Sequence, residues 1–303
     1  PAVLEAAAAI MSDDLSRYHR QILLPDIGET GQFRLLDSTA VILGCGALGN
    51  LAVDLLARAG VGHLRIIDRD FVELTNLQRQ LLFDENDVEQ AMPKAEAARR
   101  RITCVNSGVQ VTAIVDDLNH TNIAQHVSGA DVLIDGLDNF EARYLANDFA
   151  VEQGIPYVYG GVVDTAGSAF TILPHTPGAD TVWEKADLAS PCLRCLFEEA
   201  PSPGSMPTCD TAGVLSPAVT MIASYEAAEA IKILTRNYTK VSRTMLNIDL
   251  WNNSISQIKV GRAYEAGDCP CCKNARYDYL NGSLGSGATT LCGREAVQLT
   301  HKQ

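Results

Sequence analysis

Residues 42–60 read ILGCGALGNLAVDLLARAG, an apolar strand that runs straight into Gly44-Cys45-Gly46-Ala47-Leu48-Gly49 and then into a helix. A G-x-G-x-x-G turn at a strand-to-helix junction can cradle a nucleotide pyrophosphate. Its backbone N–H groups and the helix dipole both favour an anion there. The glycines alone do not separate NAD from ATP. Asp68 closes the next strand, HLRIIDRD (63–70), and would hold ribose hydroxyls in either case.

Outward from this turn, apolar runs alternate with helical patterns. TAVILGC (39–45) reads as a strand, LGNLAVDLLARAG (48–60) as a helix and HLRIIDRD as a strand. KAEAARRRITCVN (94–106) gives a helix, VQVTAIV (109–115) and DVLIDGLDN (131–139) strands, FEARYLANDFAVEQG (140–154) a helix and IPYVYGGVV (155–163) the closing strand. That alternation predicts an α/β, Rossmann-like, mostly parallel sheet with helices on both faces, whose ligands gather at the carboxyl ends of the strands. The second half predicts an antiparallel continuation. SAFTILP (168–174) is a strand, residues 174–213 a long Pro-, Asp- and Cys-rich loop, and 216–234 a helix with Ser216 as N-cap and Pro217 in its first turn. RTMLNIDLWNNSISQIKV (243–260) is a hairpin broken at Asn252-Asn253.

The residues behind Asp68 favour ATP. DRDFVELTNLQRQLLF (68–83) places Asn76, Arg79 and Gln80 there, and Lys94 follows. An NAD diphosphate has little use for two added cations, whereas a triphosphate that must release pyrophosphate needs fixed donors for its developing charge. Taken singly, Arg79 and Lys94 also read as solvated helix charges. DGLDN then delivers Asp138 and Asn139 to a strand end, where Asp138 is a candidate Mg²⁺ ligand.

Two C-x-x-C pairs, Cys192 with Cys195 and Cys269 with Cys272, can supply four thiolates to a tetrahedral zinc that staples a loop to a distant segment. Cys271 lies inside the second pair and is an alternative to a neighbour. Cys209 stands just before the 216–234 helix, where a thiol gains thiolate character. Cys45 and Cys104 read as small packing residues, and Cys292 carries no assignment.

The chain has 303 residues, 47% hydrophobic and 20% charged, which suits one large domain or two fused lobes. A net charge of −13 argues against a nucleic-acid partner, and no apolar run approaches a membrane span. The N-terminal stretch lacks the pattern of a signal peptide, and nine cysteines without an export signal point to thiol or metal chemistry in the cytoplasm. Residues 1–15 are expected to pack little, with Met11 a candidate start. Residues 16–280 are expected to form the main domain, with a nucleotide-binding half over about 38–165 and a zinc-bearing half over about 166–280. Residues 281–303 read as a linker and tail, with Leu291–Leu299 a strand-like piece that either joins a sheet edge or stays mobile.

RYHRQILLPDIGETGQ (17–32), GCGALG (44–49), DRDFVELTNLQRQ (68–80), PKAEAA (93–98), DGLDN (135–139) and CDTAGVLSP (209–217), in this order, resemble the adenylyltransferases of the MoeB, ThiF and HesA type. Those enzymes activate ubiquitin-like sulfur-carrier proteins for molybdopterin and thiamine biosynthesis and are relatives of the ubiquitin-activating enzymes. The resemblance runs from Ser16 to Cys272. It implies a homodimer that binds Mg-ATP and adenylates the C-terminal glycine of a small carrier protein. It puts the nucleotide on Gly44, Gly46, Ala47 and Gly49, the ribose on Asp68, the phosphates on Asn76, Arg79 and Lys94, and the metal on Asp138. Ala47 stands where many relatives have a further glycine, and its backbone donor is retained. The resemblance also implies the four-cysteine zinc site, a covalent carrier link at the position of Cys209 in some members, and an arginine at Arg20 that reaches across the dimer to the phosphates. Sulfur is expected from a separate donor protein. The rival readings are an NAD-dependent oxidoreductase, which leaves Arg79, Lys94 and the paired cysteines unexplained, and an inactive module that docks a ubiquitin-like partner.

Overall fold

Five apolar runs become parallel strands: β1 (Thr39–Leu43), β2 (His63–Ile67), β3 (Gln110–Ile114), β4 (Val132–Asp135) and β5 (Tyr157–Val163). Three antiparallel strands continue the same sheet: β6 (Ala166–Ile172), β7 (Thr244–Asp249) and β8 (Ser254–Lys259). The order is β3-β2-β1-β4-β5-β6-β7-β8. The computed structural model describes residues 15–176, 181–197, 212–284, 288–290 and 297–299.

The strands read as continuous apolar runs because both faces of the sheet are covered. Ala40, Ile42, Leu64, Ile66, Ile134 and Val158 point to one face, where they meet α1 (Ala47–Ala59), α2 (Lys94–Val105) and α4 (Ser216–Leu234). Val41, Leu43, Ile67, Leu133 and Tyr157 alternate to the other face and meet α3 (Phe140–Gln153) through Leu145, Phe149 and Val151. The strand order turns back between β1 and β4, so the carboxyl ends of these two strands lie side by side, Leu43 opposite Asp135. In an open α/β sheet that is the point where ligands bind.

Some details differ from the sequence reading. Ser216 is the first helical residue of α4, and Leu215 caps it with no side-chain bond. The stretch read as one loop over 174–213 contains two single-turn helices, Val182–Lys185 and Leu193–Leu196, the second nucleated inside the first cysteine pair. Helices His19–Ile22 and Gly28–Leu36 precede β1 and were not assigned from sequence. Val297–Leu299 pairs antiparallel with Ala288–Thr290 in a separate ribbon, so its partner comes from the linker rather than from an edge of the main sheet. Among the described residues no helix is long and apolar enough to cross a membrane.

Among the described buried polar residues, one carboxyl stands without a hydrogen-bond partner on either oxygen. Glu226 on α4 is fully buried, and neither carboxyl oxygen has a hydrogen-bond partner among the described residues. It lies over Gly160 of β5, where a Cβ would run into its carboxyl group. Burial pushes this carboxyl well above the usual range, the Asp135 charge adds to the effect, and Arg143 opposes it. Burial without a hydrogen-bond partner thus favours the neutral form of Glu226 in the fold. Below about pH 4 the group is neutral in both folded and unfolded chains. As pH rises the unfolded chain ionises it first and gains up to about 1.4 kcal/mol per pH unit relative to the fold. Glu226→Gln removes that gain, so urea melts should show the variant becoming more stable relative to wild type between pH 5 and pH 8. A difference that does not change with pH would mean that Glu226 is ionised in the fold.

Candidate functional site

The turn after β1 is held by backbone contacts that leave no room for a side chain at Gly44 or Gly49. Gly44 has φ 85° and donates its N–H to the Ile67 carbonyl of β2 at 2.8 Å. Gly49 sits in the first turn of α1, where a Cβ would fall within the Gly44 carbonyl. Gly46 is the N-cap of α1. A Cβ there would meet its nearest neighbour, the Gly136 carbonyl, at an ordinary 3.7 Å. Cys45 is buried, as a packing residue should be, and burial, followed by the Asp68 charge, raises its thiol well above the ordinary value.

Asp68 faces this turn. One carboxylate oxygen accepts the Cys45 N–H at 2.6 Å and the other the Asp70 N–H at 2.7 Å. Burial raises its pKa, and Lys94 pulls the other way. The Lys94 side chain is buried, with Nζ donating to Asp70 Oδ2 at 3.0 Å. Burial presses on its ammonium, but Asp68 and Asp70 outweigh it and the pKa ends above the ordinary value. Lys94 is thus charged beside the turn, which the solvated-charge reading did not require. Arg79 is half-buried. One guanidinium nitrogen donates to the Thr75 carbonyl at 2.9 Å, and its Nε is buried with no partner among the described residues. Asn76 is buried in the 3-10 turn Leu74–Asn76, its side chain accepting the Glu73 N–H at 3.0 Å, and Gln80 is buried just behind it.

The DGLDN loop after β4 meets the glycine turn directly, the Gly136 N–H donating to the Leu43 carbonyl at 2.7 Å. Asp138 is exposed at its tip, and Asn139 Nδ2 donates to Asp138 Oδ1 at 3.1 Å. Asn139 also accepts the Ala142 N–H at 2.9 Å, so it is the N-cap of α3. Sequence reasoning missed what lies beneath. Asp135 and Arg143 form a buried ion pair at 3.0 Å, joined by the Tyr157 hydroxyl, which donates to Asp135 at 2.7 Å. The available signal was an acidic residue ending a fully apolar strand.

Arg20 does not join this group within the chain. It is exposed on the helix His19–Ile22. That helix is tied to the far end of α1 by Gln21, whose Nε2 donates to the Ala59 carbonyl at 2.9 Å, while Arg17 donates to the Val105 carbonyl at the end of α2 at 2.7 Å. The 13 residues of α1 place that end roughly 20 Å from the glycine turn.

On the α3 side, the Sγ atoms of Cys192, Cys195, Cys269 and Cys272 all lie within 4.8 Å of one another. Their separations include 3.9 Å for Cys192 to Cys195, 3.6 Å for Cys192 to Cys269 and 3.4 Å for Cys195 to Cys272. Four thiolates at about 2.3 Å from a tetrahedral ion would be about 3.8 Å apart, so the donor set fits zinc. Cys271 is not one of the four, its sulfur taking a hydrogen bond from Asn147 Nδ2 at 3.4 Å. Of the two alternatives in the second pair, the cluster uses Cys269 and Cys272. Cys104 is exposed rather than packed. Cys209 and Cys292 lie outside the described residues.

Residues 18–271 match the model of the ThiF family. The chain is 41% identical over 283 residues to the sulfur carrier protein ThiS adenylyltransferase of Bacillus subtilis, covering 93% of this chain and 79% of that protein. It is 36% identical to the SAMP-activating enzyme E1 of Haloferax volcanii, over 88% of this chain and 92% of that one. The crystal structure of Escherichia coli MccB with ATP is similar with a TM-score of 0.65 at 26% identity, covering 80% of this chain and 69% of MccB.

The glycine geometry separates two substitutions. Gly49→Ala forces the turn apart, and overpacking of this kind costs about 1–3 kcal/mol, which lowers Tm by several degrees. Gly46→Ala has ordinary space and should leave Tm nearly unchanged. Equal losses in a thermal melt would contradict the observed packing of the turn.

Proposed function

The chain belongs to the ThiF family, and from that premise we propose that it adenylates the C-terminal glycine of a ubiquitin-like sulfur-carrier protein of the ThiS type, using ATP and releasing pyrophosphate. The observation that carries this reading is the convergence, at the β1/β4 switch point, of an anion-accepting turn, a carboxylate facing it, a buried lysine and a strand-end carboxylate. The turn and Asp68 would serve NAD as well, but the buried lysine has no use in the oxidoreductase reading, and an intact set argues against a module that only docks its partner.

In this mechanism the carrier's carboxylate oxygen attacks the α-phosphorus of ATP, and pyrophosphate leaves. No general base is needed, because the attacking group is already ionised. The backbone N–H groups at Gly46, Ala47 and Gly49 hold phosphate oxygens, while Gly44, whose N–H is taken by the Ile67 carbonyl, shapes the turn that presents them. Asp68 keeps lone pairs beyond the two that accept backbone N–H groups, and these take the ribose hydroxyls. Asn76, Arg79 and Lys94 fix the β- and γ-phosphates, with the buried Arg79 Nε one donor still to be satisfied. Lys94 then exchanges part of its contact with Asp70 for phosphate. Asp138 supplies an exposed carboxylate of the hard type that suits Mg²⁺ held jointly with substrate phosphates, with Asn139 beside it as the cap of α3. Such an ion would neutralise charge on the leaving group. The distance of Arg20 from its own chain's turn supports its acting in a homodimer, on the phosphates of the other copy. Cys209 is the proposed nucleophile toward the acyl-adenylate: its thiolate forms a thioester with the carrier's glycine as AMP leaves, and the carrier's sulfur is delivered by a separate donor protein. Zinc on Cys192, Cys195, Cys269 and Cys272 is structural, with all four positions filled by protein.

Asp138→Ala should lower carrier-dependent ATP–pyrophosphate exchange by about 10²–10³ while the thermal melt stays near wild type, since the side chain is exposed. Wild-type exchange would remove Asp138 from the mechanism. Metal analysis of protein purified without chelator should find one zinc per chain, lost together when Cys192 and Cys269 are both changed to Ser. Zinc-free protein would rule the assignment out.

A further inference from the structure

We propose that Arg143 is a positioning residue that fixes Asp138 against the phosphate turn by clamping Leu137, the residue just before that carboxylate, between the Asp135–Arg143 pair on both its N–H and its carbonyl. This inference rests on the adenylation reading for what Asp138 does, and on the structure alone for how it is held.

The clamp closes on Leu137 from both sides. Its N–H donates to Asp135 Oδ1 at 2.9 Å. Its carbonyl accepts from Arg143 Nη2 at 2.7 Å, and the same nitrogen donates to the Gly160 carbonyl of β5 at 2.9 Å. Arg143 Nε closes the ring on Asp135 Oδ2 at 3.0 Å. One guanidinium thus joins the end of β4, the loop after it and the neighbouring strand β5. It is itself held between two rings, 5.5 Å from the Phe140 centroid and 5.2 Å from that of Tyr159. Both Asp135 and Arg143 are buried, so the pair cannot be replaced by water without disturbing the core.

What the clamp holds is the residue before Asp138. The residue before that, Gly136, is packed backbone to backbone on Gly44, each so close that a Cβ on either would strike the other's carbonyl. The loop therefore has one backbone anchor on the glycine turn and one on Arg143, and Asp138 is the first side chain beyond both. Lysine keeps the charge of Arg143 but lacks the planar fork, so it cannot reach Asp135, Leu137 and Gly160 together.

The test compares Arg143→Lys with wild type in two measurements on the full-length protein. Hydrogen exchange without nucleotide or added Mg²⁺ should speed up in the peptide covering residues 136–139 and stay unchanged in β2 and β3. Carrier-dependent ATP–pyrophosphate exchange should need about 10–100-fold more Mg²⁺ for half-maximal rate, the range usual for removing an orienting partner, with the KM for ATP at saturating Mg²⁺ unchanged. Tyr157→Phe removes one hydrogen bond to Asp135 and no charge. It should shift both readouts in the same direction by a smaller factor, and it serves if Arg143→Lys does not fold. Wild-type exchange over 136–139 in the variant that folds, or a rate loss with unchanged Mg²⁺ dependence, overturns the positioning role. If Asp138→Ala keeps wild-type pyrophosphate exchange, the adenylation reading of Asp138 fails instead, whatever Arg143 does.

Discussion

The close approach of two backbone loops at the carboxyl ends of β1 and β4 is the constraint on which the site depends. Gly44 and Gly136 are in contact through their peptides, and Gly49 packs its α-carbon against the same point. No side chain fits there, so the glycines are required by sterics before any ligand is considered. The approach follows from topology. The parallel order reverses between β1 and β4, so two strand-end loops that would otherwise be separated emerge as neighbours. Asp68 from β2 and Asp138 after β4 then reach one space from opposite sides, with the glycine turn between them.

Polar groups beneath that junction are arranged in two layers of different character. Asp68, Asp70 and Lys94 form the upper layer, where each partly buried charge has an opposite charge near it and retains capacity for a ligand. The lower layer of Asp135, Arg143 and Tyr157 is closed on itself and on backbone carbonyls. A closed buried network gives little net stability over an apolar core, but it admits only one arrangement of the loops that it joins. Glu226, whose carboxyl oxygens have no hydrogen-bond partner among the described residues, feels both members of that pair, the Asp135 charge adding to burial in raising its pKa and Arg143 opposing it.

Much of this was legible in the sequence, for identifiable reasons. Period-2 burial on both faces makes β1, β2 and β4 near-continuous apolar runs, and the helices between them carry a 3.6-residue pattern, so the alternation was readable. The glycine turn, Asp68, Lys94 and the four cysteines each have a spacing that chemistry restricts. Asp135 and Arg143 did not stand out, because they are eight positions apart and meet only through the turn between β4 and α3. Asn139 read as a ligand and is the cap of α3, since one residue type serves both purposes at a helix start. The C-x-x-C spacing favours Cys269 with Cys272 over Cys271, and these are the two that join the cluster, with Asn147 of α3 engaging the Cys271 sulfur instead.

The position of Arg20 carries the last step. Tyr18 is buried against Gly60, and Asn106 donates to its hydroxyl at 2.9 Å, while Gln21 and Gln32 both donate to the Ala59 carbonyl. These bonds fasten the N-terminal helix to the carboxyl ends of α1 and α2, the ends opposite the glycine turn. Arg20 is exposed there and is held on a well-anchored support rather than on a free arm. An arginine fixed in that way cannot swing along the length of α1 to its own chain's phosphates. If it stabilises a leaving pyrophosphate, the phosphates belong to a second copy, and the same anchoring that keeps it away from one turn presents it to the other with little ordering cost on assembly.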